Sequence, residues 1–234
     1  MITALTTSYN YFNLFIKNGF YIPIVSYIVY KNTEDLFLSS IIGLKLFPAN
    51  YFYWFYNSFD YFPEPYKRYN QVKQFVRFTD TGHMLSFIYY FYPRIFPVAF
   101  NIHFIITLGY WYGIIMVNMK DTSQIIHPEY IVWFNNLWAY AIHILPILLF
   151  LREIYIQDVC YQYFSTNDLY YSFLWAYTWI FLIYIPWRYY TKDPIYSILS
   201  DDEPFVNKCK IFIIMNGLIL VANYCGYYLI HTIC

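Results

Sequence analysis

Charged side chains are scarce in this chain of 234 residues, where Asp, Glu, Lys and Arg together make up 12% of the sequence. An average soluble domain carries about 25% charged residues. Hydrophobic residues reach 60% and aromatic residues 26%, with 31 Tyr and 23 Phe. Water solvates such a surface poorly, and Tyr is typical of membrane interfaces. The composition therefore predicts an integral membrane protein.

The net charge and the cysteine spacing argue against further classes of protein. The formal net charge is zero, so nothing indicates a polyanionic partner, and we expect no nucleic acid to bind. The four cysteines, Cys160, Cys209, Cys225 and Cys234, lack the spacing of a metal or redox motif. Because Cys225 and Cys234 lie in or at the end of an apolar stretch, we expect them to be buried small hydrophobic side chains without a redox role.

Long stretches without Asp, Glu, Lys or Arg recur along the chain. A membrane span needs about 20 mostly apolar residues, and four stretches meet that length: 95–119, 130–151, 169–187 and 211–234. Two further apolar stretches, 9–30 and 36–56, are each interrupted by a lysine. The pattern predicts an all-α, polytopic transmembrane helical bundle of about six spans, with seven as the alternative. Residues 1–60 hold one or two of these spans.

The loops are too short for a soluble domain, so we predict a single transmembrane domain over residues 1–234. The basic cluster of Lys67, Arg68, Lys73 and Arg77 precedes a helix predicted over 79–92. Cytoplasmic loops are rich in Lys and Arg, and a cytoplasmic position of this cluster would place the C-terminus on the opposite side. Residues 1–15 lack a positively charged n-region and an Ala-x-Ala-like site, so we expect no cleavable signal peptide. We expect a multi-pass protein of an endomembrane rather than of an organellar inner membrane.

His143 lies about 12 residues into the predicted helix over 131–151, near the middle of a span. An ionisable group at that depth is costly and indicates function by default. Helical spacing places Asn136, Tyr140 and His143 near one face, as a polar stripe toward the bundle interior. The alternative is a buried histidine that bonds to a neighbouring helix and stabilises packing.

Thr79 and Asp80 stand at the start of the helix predicted over 79–92. Either side chain can serve as an N-cap. The functional alternative is a hydroxyl nucleophile that takes its base from another helix, and His143 is the candidate base.

Metal-dependent hydrolysis is a rival chemistry that usually pairs histidines at i and i+4 on a helix. The five histidines, His83, His103, His127, His143 and His231, show no such pair. No GxSxG, P-loop or GxGxxG motif is present either. We therefore predict no metal site and no cofactor.

Short motifs follow one another over residues 71–200. The segment Lys73-Gln-Phe-Val-Arg-Phe-Thr79 leads into the third apolar region, and Tyr110-Trp111 lies in the span before His143. Glu153 follows His143 by ten residues with a proline between them. Beyond the next span stands Thr191-Lys-Asp-Pro-Ile-Tyr196-Ser-Ile-Leu199.

In this order the motifs resemble those of the androgen-induced-gene and androgen-dependent TFPI-regulating-protein family. Its members are multispan membrane threonine hydrolases that cleave fatty acid esters of hydroxy fatty acids. The resemblance implies a catalytic threonine at Thr79, for which Thr81 is a substitute, and a catalytic histidine at His143. The chain departs from the family around the histidine, where Ala139-Tyr-Ala-Ile-His143 replaces Asn-His-x-x-His and Pro146 stands at plus three instead of plus five. These departures leave open a relative that has lost activity.

Together these observations predict an integral membrane lipid-ester hydrolase or acyl-transfer enzyme with membrane lipids as partners. Thr79 and His143 are its expected catalytic residues, and Asn136, Tyr140 and Tyr196 its expected binding residues. Asn136 or Asp80 would orient the histidine. The alternative is a non-catalytic accessory subunit of a larger membrane complex, with membrane-protein partners. A channel or transporter is disfavoured, because no internal repeat is visible and few charged residues are placed to line a pathway.

Overall fold

The computed structural model describes residues 19–57, 75–116, 129–156 and 158–234, without the side chains of 47–57, 129–136, 138 and 197. Within these ranges the chain is helical and has no strand, which confirms the all-α prediction. The helices are α1 (Tyr21–Thr33), α2 (Leu36–Asn57), α3 (Phe78–Phe91), α4 (Phe96–Met116), α5 (Glu129–Tyr155), α6 (Thr166–Thr191) and α7 (Phe205–Ile233).

Three of the described helices are long and apolar enough to cross a membrane. They are α4 with the turn before it (Pro93–Met116), α6 and α7. The span predicted over 131–151 falls inside α5, a helix of 27 residues. Several apolar helices are thus compatible with a membrane protein, while a total of six spans stays a prediction. Residues 1–18 and the basic residues Lys67, Arg68 and Lys73 lie outside the described part of the chain.

Local sequence sets the boundaries of the helices. Pro93 begins a single 3₁₀ turn, Pro93–Ile95, and α4 follows at once. Pro97 stands in the first turn of α4, where a missing N–H removes no intrahelical bond. Ser165 caps α6, because its side chain accepts from the Asp168 N–H while the Asp168 carboxylate accepts from the Ser165 N–H.

The described residues group into two compact units: 19–57 and 75 with 129–139, and 76–116 with 140–156 and 158–234. In the first unit α1 packs on α2, and a Cβ added to Gly43 would lie 2.3 Å from the Ser26 hydroxyl oxygen. In the second unit α4 packs against α3, α6 and α7. Nothing tests the single-domain prediction further.

Helix α4 is the centre of the second unit. Half of the most apolar stretch of α4 is buried, compared with 11% of the corresponding stretches of α6 and α7. The outer faces of α6 and α7 therefore remain apolar and uncovered, as lipid-facing helices are. Beside α4, an aromatic cluster of Tyr89, Phe96, Phe100, Phe150 and Phe164 fills the core near the Pro93 turn.

A disulfide joins Cys160, in the loop between α5 and α6, to Cys234 at the end of α7. The expectation that Cys234 is a buried small hydrophobe is therefore wrong. The spacing of the cysteines does not indicate this pair, because the two residues are 74 positions apart and only the folded bundle brings them together. Cys209 and Cys225 are free thiols.

Candidate active site

The hydroxyl oxygen of Thr79, on α3, lies 3.1 Å from Nε2 of His143, on α5. The hydroxyl donates to Nε2 when the imidazole carries its proton on Nδ1. The Thr79 side chain is only 6% exposed, so water does not compete freely for this bond. A hydroxyl bonded to an imidazole is the arrangement in which a histidine can take the proton of a nucleophile.

Pro146 explains how α5 holds His143 in place. Proline has no N–H, so the carbonyl of Ile142, four residues earlier, lacks its usual helical partner. His83 of α3 supplies the donor, with its Nε2 3.0 Å from that carbonyl oxygen. Thr107 of α4 donates its hydroxyl to the next carbonyl, that of His143 itself. The peptide groups on both sides of His143 are thereby tied to neighbouring helices.

An aromatic cluster covers the imidazole. The ring of Tyr110 lies parallel to it, with 3.6 Å between centroids and 9° between planes. Tyr140 stacks on Trp111 at 5.4 Å and meets the edge of Tyr110 at 6.4 Å. Tyr140, a predicted binding residue, is thus one ring removed from His143 and 39% exposed.

Two residues from the far end of the chain fix the start of α3. The hydroxyl of Tyr196, in the loop after α6, accepts from the backbone N–H of Phe78 at 2.9 Å. That N–H is one of those that a helix start leaves without an intrahelical partner. Trp179 donates its indole N–H to the carbonyl of Val76 at 2.8 Å and packs edge-on against Phe78. Thr79 is therefore held by its backbone as well as by its side chain.

Trp179 is the first residue of an irregular segment of α6. The segment Trp179–Tyr184 is π-helical, between α-helical segments on either side. Such wide turns often occur at functional sites.

Burial raises the pKa of Tyr196 above its ordinary value of 10.0. The nearby Arg77 guanidinium lowers this pKa, and the Asp80 carboxylate raises it. At neutral pH the phenol is therefore protonated and has an O–H to donate. Asp80 is itself buried.

A second hydroxyl and imidazole pair lies deeper in the same unit. The Ser86 hydroxyl oxygen is 2.7 Å from His103 Nε2, and both residues are fully buried. The His103 ring stacks on His83 at 5.7 Å and on Phe150 at 5.4 Å. The described residues contain no group of three His, Cys, Asp or Glu side chains that could hold a metal ion. Without access from outside, the Ser86 and His103 pair is suited to holding helices together.

Two alternatives at the start of α3 can be compared with the structure. Arg77 occupies the N-cap position, and Thr79 and Asp80 lie inside the first turn with buried side chains. The N-cap interpretation of Thr79 and Asp80 is therefore wrong. Thr81 donates its hydroxyl to the carbonyl of Phe78 at 2.8 Å. The side chain of Asn136 lies outside the described residues.

Several residues of this site are not distinguished by any motif in the sequence. Thr107 and Trp179 lie in apolar helices without any motif around them. His83 was considered only as a possible metal ligand, and its spacing from the other histidines did not support that role. Pro146 is the exception, since a proline inside a span leaves a carbonyl without its intrahelical donor, and a neighbouring side chain can supply one.

No family model matches the chain, and neither a curated protein nor a solved structure is significantly similar to it. The resemblance to the threonine hydrolase family therefore rests on the motifs alone and remains an expectation.

Proposed function

We propose that this chain is an integral membrane lipid-ester hydrolase or acyl-transfer enzyme in which Thr79 is the nucleophile and His143 the general base. The contact of 3.1 Å between the Thr79 hydroxyl and His143 Nε2 carries the proposal. The order of motifs that resembles membrane threonine hydrolases supports it independently.

The reaction proceeds in two steps. The Thr79 oxygen attacks the ester carbonyl carbon while His143 Nε2 takes the hydroxyl proton. The bond to the alcohol oxygen breaks, and the alcohol leaves with the proton from His143. Water, or the hydroxyl of an acceptor lipid, then attacks the acyl-threonine as His143 takes its proton. The Thr79 oxygen leaves with that proton, and the fatty acid or the new ester is released.

The depth of the pair fits a substrate with long acyl chains. A helix rises about 1.5 Å per residue, so Thr79 lies about 20 Å from the Pro93 turn along α3, and His143 about 18 Å from the end of α5. Since the hydrocarbon core is about 30 Å thick, an ester linkage that reaches the pair is carried by a lipid within the bilayer. We place the protein in an endomembrane, with membrane lipids as its substrates.

Purified protein in detergent micelles or nanodiscs should hydrolyse a fluorogenic long-chain acyl ester. Thr79→Ala and His143→Ala should each lower kcat by at least about 100-fold, because each removes one half of the reacting pair. Thr81→Ala is the matched control, since its hydroxyl bonds within α3, and it should keep wild-type kcat. Mass spectrometry of quenched samples should find the acyl group on the Thr79 peptide.

Full turnover in Thr79→Ala would exclude the proposal. If the wild-type protein shows no turnover and purifies in fixed stoichiometry with other membrane proteins, the accessory-subunit alternative is favoured. The Thr79 and His143 bond would then serve helix packing.

A further inference from the structure

The bond between His83 and the carbonyl of Ile142 lies one peptide away from the candidate base. Both His83 and Thr79 belong to α3, four residues apart on one face, so the same helix that presents the nucleophile also holds the backbone next to the base. His83 is fully buried, and its Nε2 must carry a proton, since a carbonyl only accepts. The ring behind it, His103, is bonded to Ser86 and fixes its position.

Resting on the proposed function, we propose that His83 is a positioning residue, which sets the distance between Thr79 and His143 by capping the carbonyl that Pro146 frees. Without this bond, two costs arise together. The Ile142 carbonyl would be buried without a donor, and α5 would lose its anchor to α3 beside His143. A misplacement of about 1 Å at reacting groups lowers rates by about 100-fold.

Three substitutions, used singly and in combination, isolate this role. His83→Phe keeps a ring of similar size but removes the donor, and His83→Gln keeps an N–H on a flexible chain. Pro146→Ala restores an N–H within α5, so the helix itself can satisfy Ile142 and His83 becomes dispensable. We expect His83→Phe to lower kcat about 10- to 100-fold with little change in KM. His83→Gln should recover part of the loss, and His83→Phe combined with Pro146→Ala should lose less than threefold relative to Pro146→Ala.

The proposal is overturned if folded His83→Phe keeps wild-type kcat, or if the loss is equally large with and without Pro146→Ala. Should His83→Phe fail to fold, His83→Gln and the double variant carry the same comparison. Thermal unfolding of wild type, His83→Phe, Pro146→Ala and the double variant measures the coupling of His83 and Pro146 without any turnover. A coupling in stability with no effect on kcat also overturns the positioning role, whereas full turnover in Thr79→Ala overturns the proposed function itself.

A different observation concerns the two ends of the second unit. Gln162 donates to the carbonyl of Pro93 at 3.1 Å, and Cys160 is bonded to Cys234. One end of the second unit, which we call the disulfide end, therefore contains the turn before α4, the loop after α5 and the end of α7. At the opposite end, Tyr196 joins the loop after α6 to the start of α3.

Positive charge is distributed unequally between these ends. Among the described residues of the second unit, the disulfide end carries Arg94 and Arg152. One arginine at each end is in an ion pair, Arg152 with Glu153 and Arg188 with Asp201. The opposite end carries five basic residues: Arg77, Arg188, Lys192, Lys208 and Lys210. Loops rich in Lys and Arg remain in the cytosol, while disulfides persist in oxidising compartments. The two rules are independent and give the same orientation.

We propose that the disulfide end faces a lumen or the cell exterior and that the end with Tyr196 faces the cytosol. With α3 starting at the cytosolic end, the Thr79 and His143 pair lies nearer the cytosolic leaflet. This orientation stands whether or not the chain is an enzyme.

Sealed microsomes, whose cytosolic face is outside, test the orientation. In a Cys209→Ser, Cys225→Ser background, Tyr190→Cys adds an exposed thiol at the cytosolic end and Tyr163→Cys one at the disulfide end. A membrane-impermeant maleimide should label Tyr190→Cys at once and Tyr163→Cys only after detergent is added. Gel-shift alkylation should find Cys160 and Cys234 oxidised before reduction. The reverse labelling pattern, or reduced thiols in membranes alkylated before lysis, would overturn the assignment.

Discussion

The phenol ring of Tyr110 lies face to face with the imidazole of His143 at a centroid distance of 3.6 Å. Because the planes are almost parallel, the imidazole cannot rotate about its bond to the chain without meeting the Tyr110 ring. The stack therefore keeps Nε2 directed at the Thr79 hydroxyl. Sequence alone placed Tyr110 in the span before His143 but did not reveal this contact.

Tyr110→Leu should lower kcat for a lipid ester about 10-fold, because the imidazole gains rotational freedom and the reacting pair is aligned less often. Tyr110→Phe retains the ring and should stay within twofold of wild type. The comparison requires steady-state kinetics of both variants at equal folded fraction. Equal losses in Leu and Phe variants would assign the effect to the phenol hydroxyl instead of the stack.

Two glycines on α7 differ in what an added methyl group would meet. A Cβ at Gly226 would lie 2.2 Å from ring carbons of Phe164, whereas nothing lies within 4 Å of a Cβ at Gly217. Phe164 is confined by Phe96 and Phe100 and has little room to move. Gly226→Ala should therefore destabilise the fold by about 1–3 kcal/mol.

Gly217→Ala is the matched control on the same helix, and it should be neutral or stabilising by up to about 1 kcal/mol, since Ala is the better helix former. Thermal unfolding in one detergent, followed by circular dichroism, measures both. A neutral Gly226→Ala would show that α7 packs less closely against the loop after α5 than described.

Tyr196→Phe removes the acceptor for the Phe78 N–H and should lower the free energy of unfolding near pH 7 by about 1 kcal/mol. The deficit should shrink above pH 10. Burial raises the pKa of the folded Tyr196 above 10.0, so its favourable contribution is complete below pH 10 and is lost as the pH rises, when the unfolded phenol ionises first. Phenylalanine does not titrate, so position 196 contributes no pH-dependent loss of stability in the variant.

Chemical denaturation of wild type and Tyr196→Phe at pH 7 and at pH 10.5 measures this difference directly, and subtraction cancels the other tyrosines. A deficit that grows with pH would contradict the assigned direction.

The sequence predicted a great deal about the helices and little about their contacts. Apolar stretches free of charge located α4 and α6 within a few residues, because membrane spans follow from composition and length. Helix α7 begins six residues before its predicted stretch, since its first turns include Lys208 and Lys210. The order of motifs named Thr79 and His143, which the fold brings to 3.1 Å. Their catalytic roles, the resemblance and the six spans stay predictions.

Contacts between distant segments could not be predicted from the sequence, for a physical reason. The bond from Cys160 to Cys234, the cap of Tyr196 on Phe78 and the bond from Trp179 to Val76 all join residues more than 70 positions apart. No periodicity within one helix encodes which partner such a side chain meets. The helix start at Phe78 was misjudged by a single residue, and that shift moved Thr79 from the cap into the buried first turn.

The wide turn in α6 changes which residues of that helix lie on one line. A π-type turn holds about one residue more than an α-turn, and one α-helical residue corresponds to about 100° of rotation. Ile185–Thr191 is therefore rotated by roughly a quarter to a third of a turn relative to the face that Thr166–Thr178 would continue. The continuous helix α6 thus presents two differently directed faces. Its first half packs on α4, while the π-helical segment ends at Tyr184, whose hydroxyl donates to the carbonyl of Leu199 in the following loop.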